Sequence, residues 1–264
     1  MIIGLSGRIS SGKDLVAKII QSITSGDRLD KVEEIVLNNW IDPYTPWEVR
    51  KFADKLKDIV CIMIGCTRSQ LEDRDFKEKE LGEEWWYYVN SFGAYVPYVG
   101  HTLGNTSNLV KPTPRLFMQL VGTECGRNII HPNCWVNSLM SEYVPYSTIT
   151  NEYKKDESMW IISDLRFKNE MSAVKRRNGI SIRVERPTFY YRHKITGEIE
   201  RSHSGLCDGD IYVPVPTSEV VEHASETGLD GAEFDFVIHN NGSVADLIKS
   251  VYEILIKTGI INER

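Results

Sequence analysis

Eight residues near the start of the chain, Gly7-Arg8-Ile9-Ser10-Ser11-Gly12-Lys13-Asp14, set two glycines and a lysine at the spacing of a Walker A phosphate loop. Glycine permits backbone angles at which consecutive N–H groups point inward at one anion. A helix beginning at Lys13 adds the partial positive charge of its N-terminus. Lys13 is placed to reach the β- and γ-phosphates of a nucleoside triphosphate. Gly7, Arg8, Ser10, Ser11, Gly12, Lys13, Asp14 and Leu15 are therefore the candidate nucleotide ligands. Asp14 is the departure, because a Ser or Thr hydroxyl usually holds Mg²⁺ there. A carboxylate is a harder oxygen ligand and holds the ion directly or through water. It weighs against a GTPase or motor ATPase, and not against a phosphotransferase. The bland alternative for the octet is a chance glycine turn.

Other chemistry-bearing residues lie further along. An apolar run over 159–163 ends in Asp164, at the rim where ligands gather in open parallel sheets. There Asp164 reads as a Walker B-type carboxylate for Mg²⁺ or as an ordinary turn aspartate. Arg166 follows, with Glu170 four residues on. The two serve phosphate chemistry or form a helical ion pair worth only about 0.3–0.5 kcal/mol when exposed. Arg115 and Gln119 share one face of a predicted helix, as acceptor contacts or as a solvated polar stripe. Trp135 stacks on a base or fills the core. Lys57 and Arg127 neutralise phosphate charge or are plain surface cations. Arginine suits such chemistry because its planar fork grips phosphate through two hydrogen bonds and stays charged.

Periodicity supplies the elements that must position these groups. Residues 2–6 read as a buried strand, 13–21 as a helix, and together with the glycine loop they open a βαβ unit. A strand at 49–53 precedes a helix over 55–64 that stops at Gly65. Residues 66–82 are charged and partly helical. Residues 83–113 carry Trp85, Trp86, Tyr87, Tyr88, Phe92, Tyr95 and Tyr98 among glycines and prolines, an insertion of loops or a hairpin. Thr113-Pro114 restarts a helix, with Thr as N-cap and Pro in the first turn, to about residue 121. A helix over 135–143, strands at 159–163, 180–185 and 234–239, and helices over 169–178 and 244–257 follow. Residues 187–232 show little periodicity and read as a mobile excursion. Strands alternating with helices predict an α/β fold in three layers around a mainly parallel sheet.

Composition excludes several classes. The net charge of −6 over 264 residues disfavours a nucleic-acid partner, which needs clustered positive charge. No stretch nears the ~20 apolar residues of a membrane helix, and residues 1–5 are too short for a secretory core. The expectation is a cytoplasmic protein with no membrane partner. The five cysteines include no Cys-x-x-Cys pair and the histidines are scattered, so no zinc spacing is present; the thiols suit a reducing compartment.

With the loop as anchor, the sequence resembles the phage-type deoxynucleoside monophosphate kinases of the P-loop kinase superfamily, whose loop also commonly ends in Gly-Lys-Asp. Phe52-Ala53-Asp54-Lys55-Leu56-Lys57 is similar to that family's Phe-Ala-Asp-Pro-Leu-Lys, with Lys55 replacing proline. Pro114-Arg115 through Gln119, Gly122-Thr123-Glu124, Gly126-Arg127 and Trp135 resemble its Arg-x-x-x-Gln-x-x-Gly-Thr-Glu…Arg…Trp block. Asp164-Leu165-Arg166-Phe167-Lys168-Asn169-Glu170 resembles its Asp-x-Arg-Phe-x-Asn-Glu turn. Arg186-Pro187, His223-Ala224-Ser225-Glu226 and Asp235…Asn240…Gly242-Ser243 complete the series in the expected order. Residues 83–112 and 188–222 have no counterpart.

The resemblance implies a P-loop kinase fold with a helical acceptor-binding region inserted at 54–145 and a lid at 187–232. It implies ATP-dependent phosphorylation of deoxynucleoside monophosphates with Mg²⁺, catalysed through Lys13, Arg166 and Asp164, with the ion near Asp14 and Asp164. Lys57, Arg115, Gln119, Gly122, Thr123, Arg127, Trp135, Phe167, Glu170, Ser225 and Glu226 would contact the acceptor. Arg186, Asn240 and Gly242 would lie near the ATP base and ribose. The family also implies small-molecule partners and a homodimer. Two alternatives stay open: a kinase of dephospho-coenzyme A type, which shares loop and fold, and an ATP-dependent switch or motor subunit.

Overall fold

The computed structural model describes residues 1–90, 95–99, 108–145, 158–203, 208–209, 211–216, 219–220 and 224–263, the side chains of 224 and 225 excepted. Two compact units form, one from Met1–Lys51 with Tyr143–Arg264 and one from Phe52–Glu142. Among the described residues no helix is long and apolar enough to cross a membrane.

The first unit begins with β1 (Ile2–Ser6), buried along its whole length. Its lack of polar alternation is what a strand covered on both faces requires. α1 (Lys13–Ser25) buries Val16, Ala17, Ile19, Ile20 and Ile23, a repeat of three and four residues that makes one apolar face. It runs a turn beyond the expected end. α2 (Leu29–Leu37) was not foreseen; only Val32 and Val36 are buried, too narrow a stripe to stand out from the charged residues between them. β2 (Glu48–Arg50) closes this part of the chain.

The second unit is helical with a small sheet. α3 (Ala53–Ile64) ends at Gly65, and the short α4 (Arg68–Glu72) and α5 (Arg74–Glu78) fill the charged stretch after it. The aromatic insertion forms β3 (Tyr87–Val89), β4 (Tyr95–Pro97) and β5 (Leu109–Val110), antiparallel in the order β4-β3-β5; Phe92 lies outside the described residues. α6 (Pro114–Gln119) starts on Thr113, whose hydroxyl accepts the Leu116 N–H at 3.2 Å. It passes directly into a π-helical stretch, Leu120–Ile130. That widened helix is rare and tends to occur at functional sites, and nothing in the spacing foretold it. α7 (Cys134–Met140) buries Trp135, Val136, Leu139 and Met140.

Back in the first unit, β6 (Trp160–Leu165) extends past the expected end, so Asp164 lies within the strand. α8 (Lys168–Lys175) and β7 (Ile180–Glu185) follow. Residues 187–232 depart most from expectation. They contain β8 (Phe189–His193), β9 (Ile199–Ser202) and β10 (Tyr212–Val215), an antiparallel sheet in the order β10-β8-β9. These strands of four or five residues are too short for a clear alternation to register. α9 (Ala224–Thr227), β11 (Phe236–His239) and α10 (Val244–Lys257) complete the chain. α10 starts on a reciprocal cap in which Ser243 N–H donates to Asp246 at 2.9 Å and Asp246 N–H to Ser243 Oγ at 3.2 Å.

The central sheet has the order β11-β7-β1-β6-β2, and every neighbouring pair is parallel. Ile3 and Leu5 of β1 join Ile161, Ile182, Val184 and Ile238 in one core with α1, α2 and α10. Gly4, on the opposite face, leaves room for Val174 of α8. Helices therefore cover both faces of a five-stranded parallel sheet, the α/β arrangement expected and one consistent with a P-loop kinase fold. Each buried Ile, Leu or Val contributes about 1.5–3 kcal/mol relative to exposure. This rigid sheet carries the loop after its central strand.

Candidate functional site

The phosphate loop leaves the carboxyl end of β1, the rim where parallel α/β sheets bind ligands. Two residues in it adopt left-handed backbone, Ser10 at φ 62° and Gly12 at φ 100°. Ser10 has no glycine's freedom, and such strain concentrates at functional sites. Gly7 is required for a different reason: a Cβ there would lie 2.4 Å from Ser11 Oγ and 2.5 Å from the Val184 carbonyl oxygen. Asn240, on the loop after β11, donates from Nδ2 to the Ser11 carbonyl at 2.9 Å and so braces the loop from the side. Leu15 packs against the core beneath it.

Lys13 Nζ donates to the Arg8 carbonyl at 3.3 Å. Burial, the Arg166 charge and Lys51 hold its pKa below the ordinary lysine value, against the opposing pull of Asp14 and Glu226. Asp14 is exposed, with Lys51 Nζ 3.5 Å from its Oδ1; Asp164 is half-buried in β6. Among the described residues no group of three or more His, Cys, Asp or Glu could hold a metal. One or two carboxylates such as Asp14 and Asp164 fit Mg²⁺, which commonly takes its remaining ligands from water and substrate phosphates.

A second cluster stands at the loop's rim. Ile9 N–H donates to Glu226 Oε2 at 2.8 Å, and Arg166 Nη1 donates to Glu226 Oε1 at 3.1 Å. Glu170 is buried and accepts the N–H groups of Arg166 and Phe167 at 2.8 and 3.1 Å, which caps α8 and holds the turn that presents Arg166. Phe167 is half-buried. His223 and the Ser225 side chain lie outside the described residues.

Beside the loop, a cleft of about 440 Å³ is lined by Arg8, Arg183, Arg186, Thr188, Asp230 and Asn241, among others. Arg183 Nη2 donates to Asp230 at 3.0 Å, and Arg8 Nη2 to the same carboxylate at 3.4 Å. Arg186 thus lines the cleft, whereas Asn240 faces the loop, and Gly242 packs on Asp246 at the start of α10. Sequence reasoning missed Arg183 and Asp230. The available signal was one cation at position 183, alternating with the apolar Ile180, Ile182 and Val184 of β7.

In the second unit, Lys57 Nζ donates to both oxygens of Glu72 at 2.7 and 3.0 Å. Arg115 pairs with Glu78, and both Arg115 and Gln119 are exposed. The Gly122 carbonyl accepts the Trp135 indole N–H at 2.8 Å and Arg127 Nη1 at 3.2 Å, and Thr123 is half-buried beside them in the π-helical stretch. Trp135 itself is 5% exposed.

No protein-family model matches the chain. The chain is similar to the deoxynucleoside-5'-monophosphate kinase of Escherichia phage T5, with 24% identity over 212 residues, 69% of this chain and 74% of that protein. The resemblance read from the ordered motifs is borne out by this comparison.

Proposed function

We propose that this protein transfers the γ-phosphoryl group of ATP to a deoxynucleoside monophosphate, producing ADP and the diphosphate. The observation that carries the reading is the loop at the carboxyl end of the central strand, where strained backbone, the start of α1 and a half-buried Lys13 converge. The acceptor class is supported by the similarity to the phage T5 kinase and by the motif series.

In this reading the loop N–H groups from Gly7 to Leu15 and the N-terminus of α1 hold the β- and γ-phosphates, and Lys13 spans them. Mg²⁺, when bound with ATP near Asp14 and Asp164, supplies neutralisation of the phosphate charge. Arg166 meets the charge spread over the transferring group, its approach set by the Glu170 cap. A phosphate oxygen of the acceptor attacks the γ-phosphorus, the bond to the β–γ bridging oxygen breaks, and ADP leaves with that electron pair. The attacking oxygen is already ionised near neutral pH, so no general base is required. The ATP base and ribose take the cleft lined by Arg186. The motif series supports Lys57, Arg115, Gln119, Gly122, Thr123 and Arg127 as the acceptor contacts. Within 187–232 a lid would exclude water, which protects ATP from hydrolysis.

Incubation with Mg-ATP and each deoxynucleoside monophosphate in turn tests the proposal. ADP should form only with an acceptor present, alongside the matching diphosphate. ADP release indifferent to every acceptor, or stimulated by DNA instead, would overturn it.

A further inference from the structure

Charged side chains from three separate elements meet at the rim of the phosphate loop. The Glu226 side chain is 6% exposed and lies 3.8 Å from Arg201 Nη1 of β9, in addition to its hydrogen bonds from Ile9 N–H at 2.8 Å and Arg166 Nη1 at 3.1 Å. The Arg201 guanidinium is set over the Tyr190 ring, 5.6 Å from its centroid. A buried carboxylate is stable only where donors and cations surround it, and this one is surrounded by a loop amide and two arginine forks. Those are also the donors that phosphate oxygens prefer. A phosphate arriving here and the Glu226 carboxylate would draw on one set of partners.

Building on the kinase reading above, we propose that Glu226 is a positioning residue that holds Arg166 and Arg201 as a pair and yields them to phosphate oxygens when a phosphorylated substrate binds. Arg201 thereby becomes a second arginine of the phosphoryl-transfer site, one outside every motif in the sequence. The incoming anion must displace Glu226, so its apparent affinity is lowered by the strength of the contacts it replaces. A neutral side chain of the same shape removes that competition.

Binding of inorganic pyrophosphate to the full chain, followed by titration calorimetry, tests this. Glu226→Gln keeps the size of the side chain and a carbonyl oxygen for the Ile9 N–H. Its dissociation constant for pyrophosphate should fall by about three- to tenfold, whereas a merely structural role would raise it. An unchanged or larger constant would overturn the proposal. So would an equal fall in Glu253→Gln, which removes one negative charge from the exposed face of α10. The gain must run through the arginines: adding Glu226→Gln to an Arg166→Met, Arg201→Met background should leave affinity unmoved, and a persisting gain counts against the idea. Should Glu226→Gln fail to fold, Arg201→Met alone reads the same point, since it removes the guanidinium and keeps an unbranched side chain. It should weaken pyrophosphate binding several-fold, and unaltered binding would sink the assignment. The probe needs no acceptor, so this result and the deoxynucleotide assay can fail independently.

Discussion

Lys13 is half-buried beside Arg166 and Lys51, and burial together with those charges holds its proton less tightly than an ordinary lysine's. The sign of the consequence follows. Between the depressed folded pKa and the ordinary value of the unfolded chain, the unfolded state binds more protons, so stability rises with pH across that interval. Lys13→Met should therefore raise the melting temperature most at neutral pH, by about 2–4 °C for each kcal/mol of relieved repulsion, and the gain should shrink as alkaline pH discharges the wild-type lysine. Thermal melts across pH check this. The same variant should lose at least about 10²-fold in turnover of Mg-ATP, a conflict between stability and activity expected where charges are gathered to bind phosphate. Ser10 offers a milder version. Its left-handed backbone costs a side-chain-bearing residue about 1–2 kcal/mol, so Ser10→Gly should stabilise the fold by up to about 1 kcal/mol after glycine's added entropy is counted. Denaturant unfolding is the measurement, and a loss of stability would mean that the strain is held elsewhere.

Among the elements, α8 shows how a helix start becomes part of a site. The buried Glu170 carboxylate takes two amides that the helix cannot satisfy itself, and one belongs to Arg166. Glu170→Ala should cost about 1–3 kcal/mol for the stranded donors and lower kcat/KM by releasing Arg166. Glu170→Gln, which keeps an acceptor oxygen, should recover most of both; equal damage in the two would assign the effect to the lost charge instead. Asn240 performs a similar service from the loop after β11. Asn240→Ala withdraws the brace on Ser11 and should raise KM for ATP more than it lowers kcat, which steady-state kinetics would resolve.

At the scale of the molecule, the parallel sheet and the antiparallel sheet β10-β8-β9 differ in how much they bury. Ile161 and Ile162 of β6 are fully buried, whereas Val213 of β10 and Ile199 of β9 are among the exposed large apolar residues. Local opening draws on regions with few buried apolar contacts. Amide hydrogen exchange should therefore run slowest in β1, β6 and β7 and markedly faster in β8 to β10, as the lid proposed within 187–232 would require. Equal protection in the two sheets would remove the physical basis for a lid there. What was legible beforehand was whatever a short run of residues determines by itself. The buried β1, the glycine loop, the Thr113 cap and the amphipathic α10 each follow from spacing and backbone preference within a dozen residues. The strands β8 to β10 are too short for their period to rise above a mixed background, and the π-helical turn after α6 has no local signal at all. The cluster of Ile9, Arg166, Arg201 and Glu226 required the tertiary structure, because Arg166 and Glu226 stand 60 residues apart in the chain. Which carboxylate meets which arginine is decided by how β6, β9 and α9 converge on one end of the sheet. Charge pairing over such distances has no period or propensity to betray it; the sequence determines which chemistry is present, and packing determines where it meets.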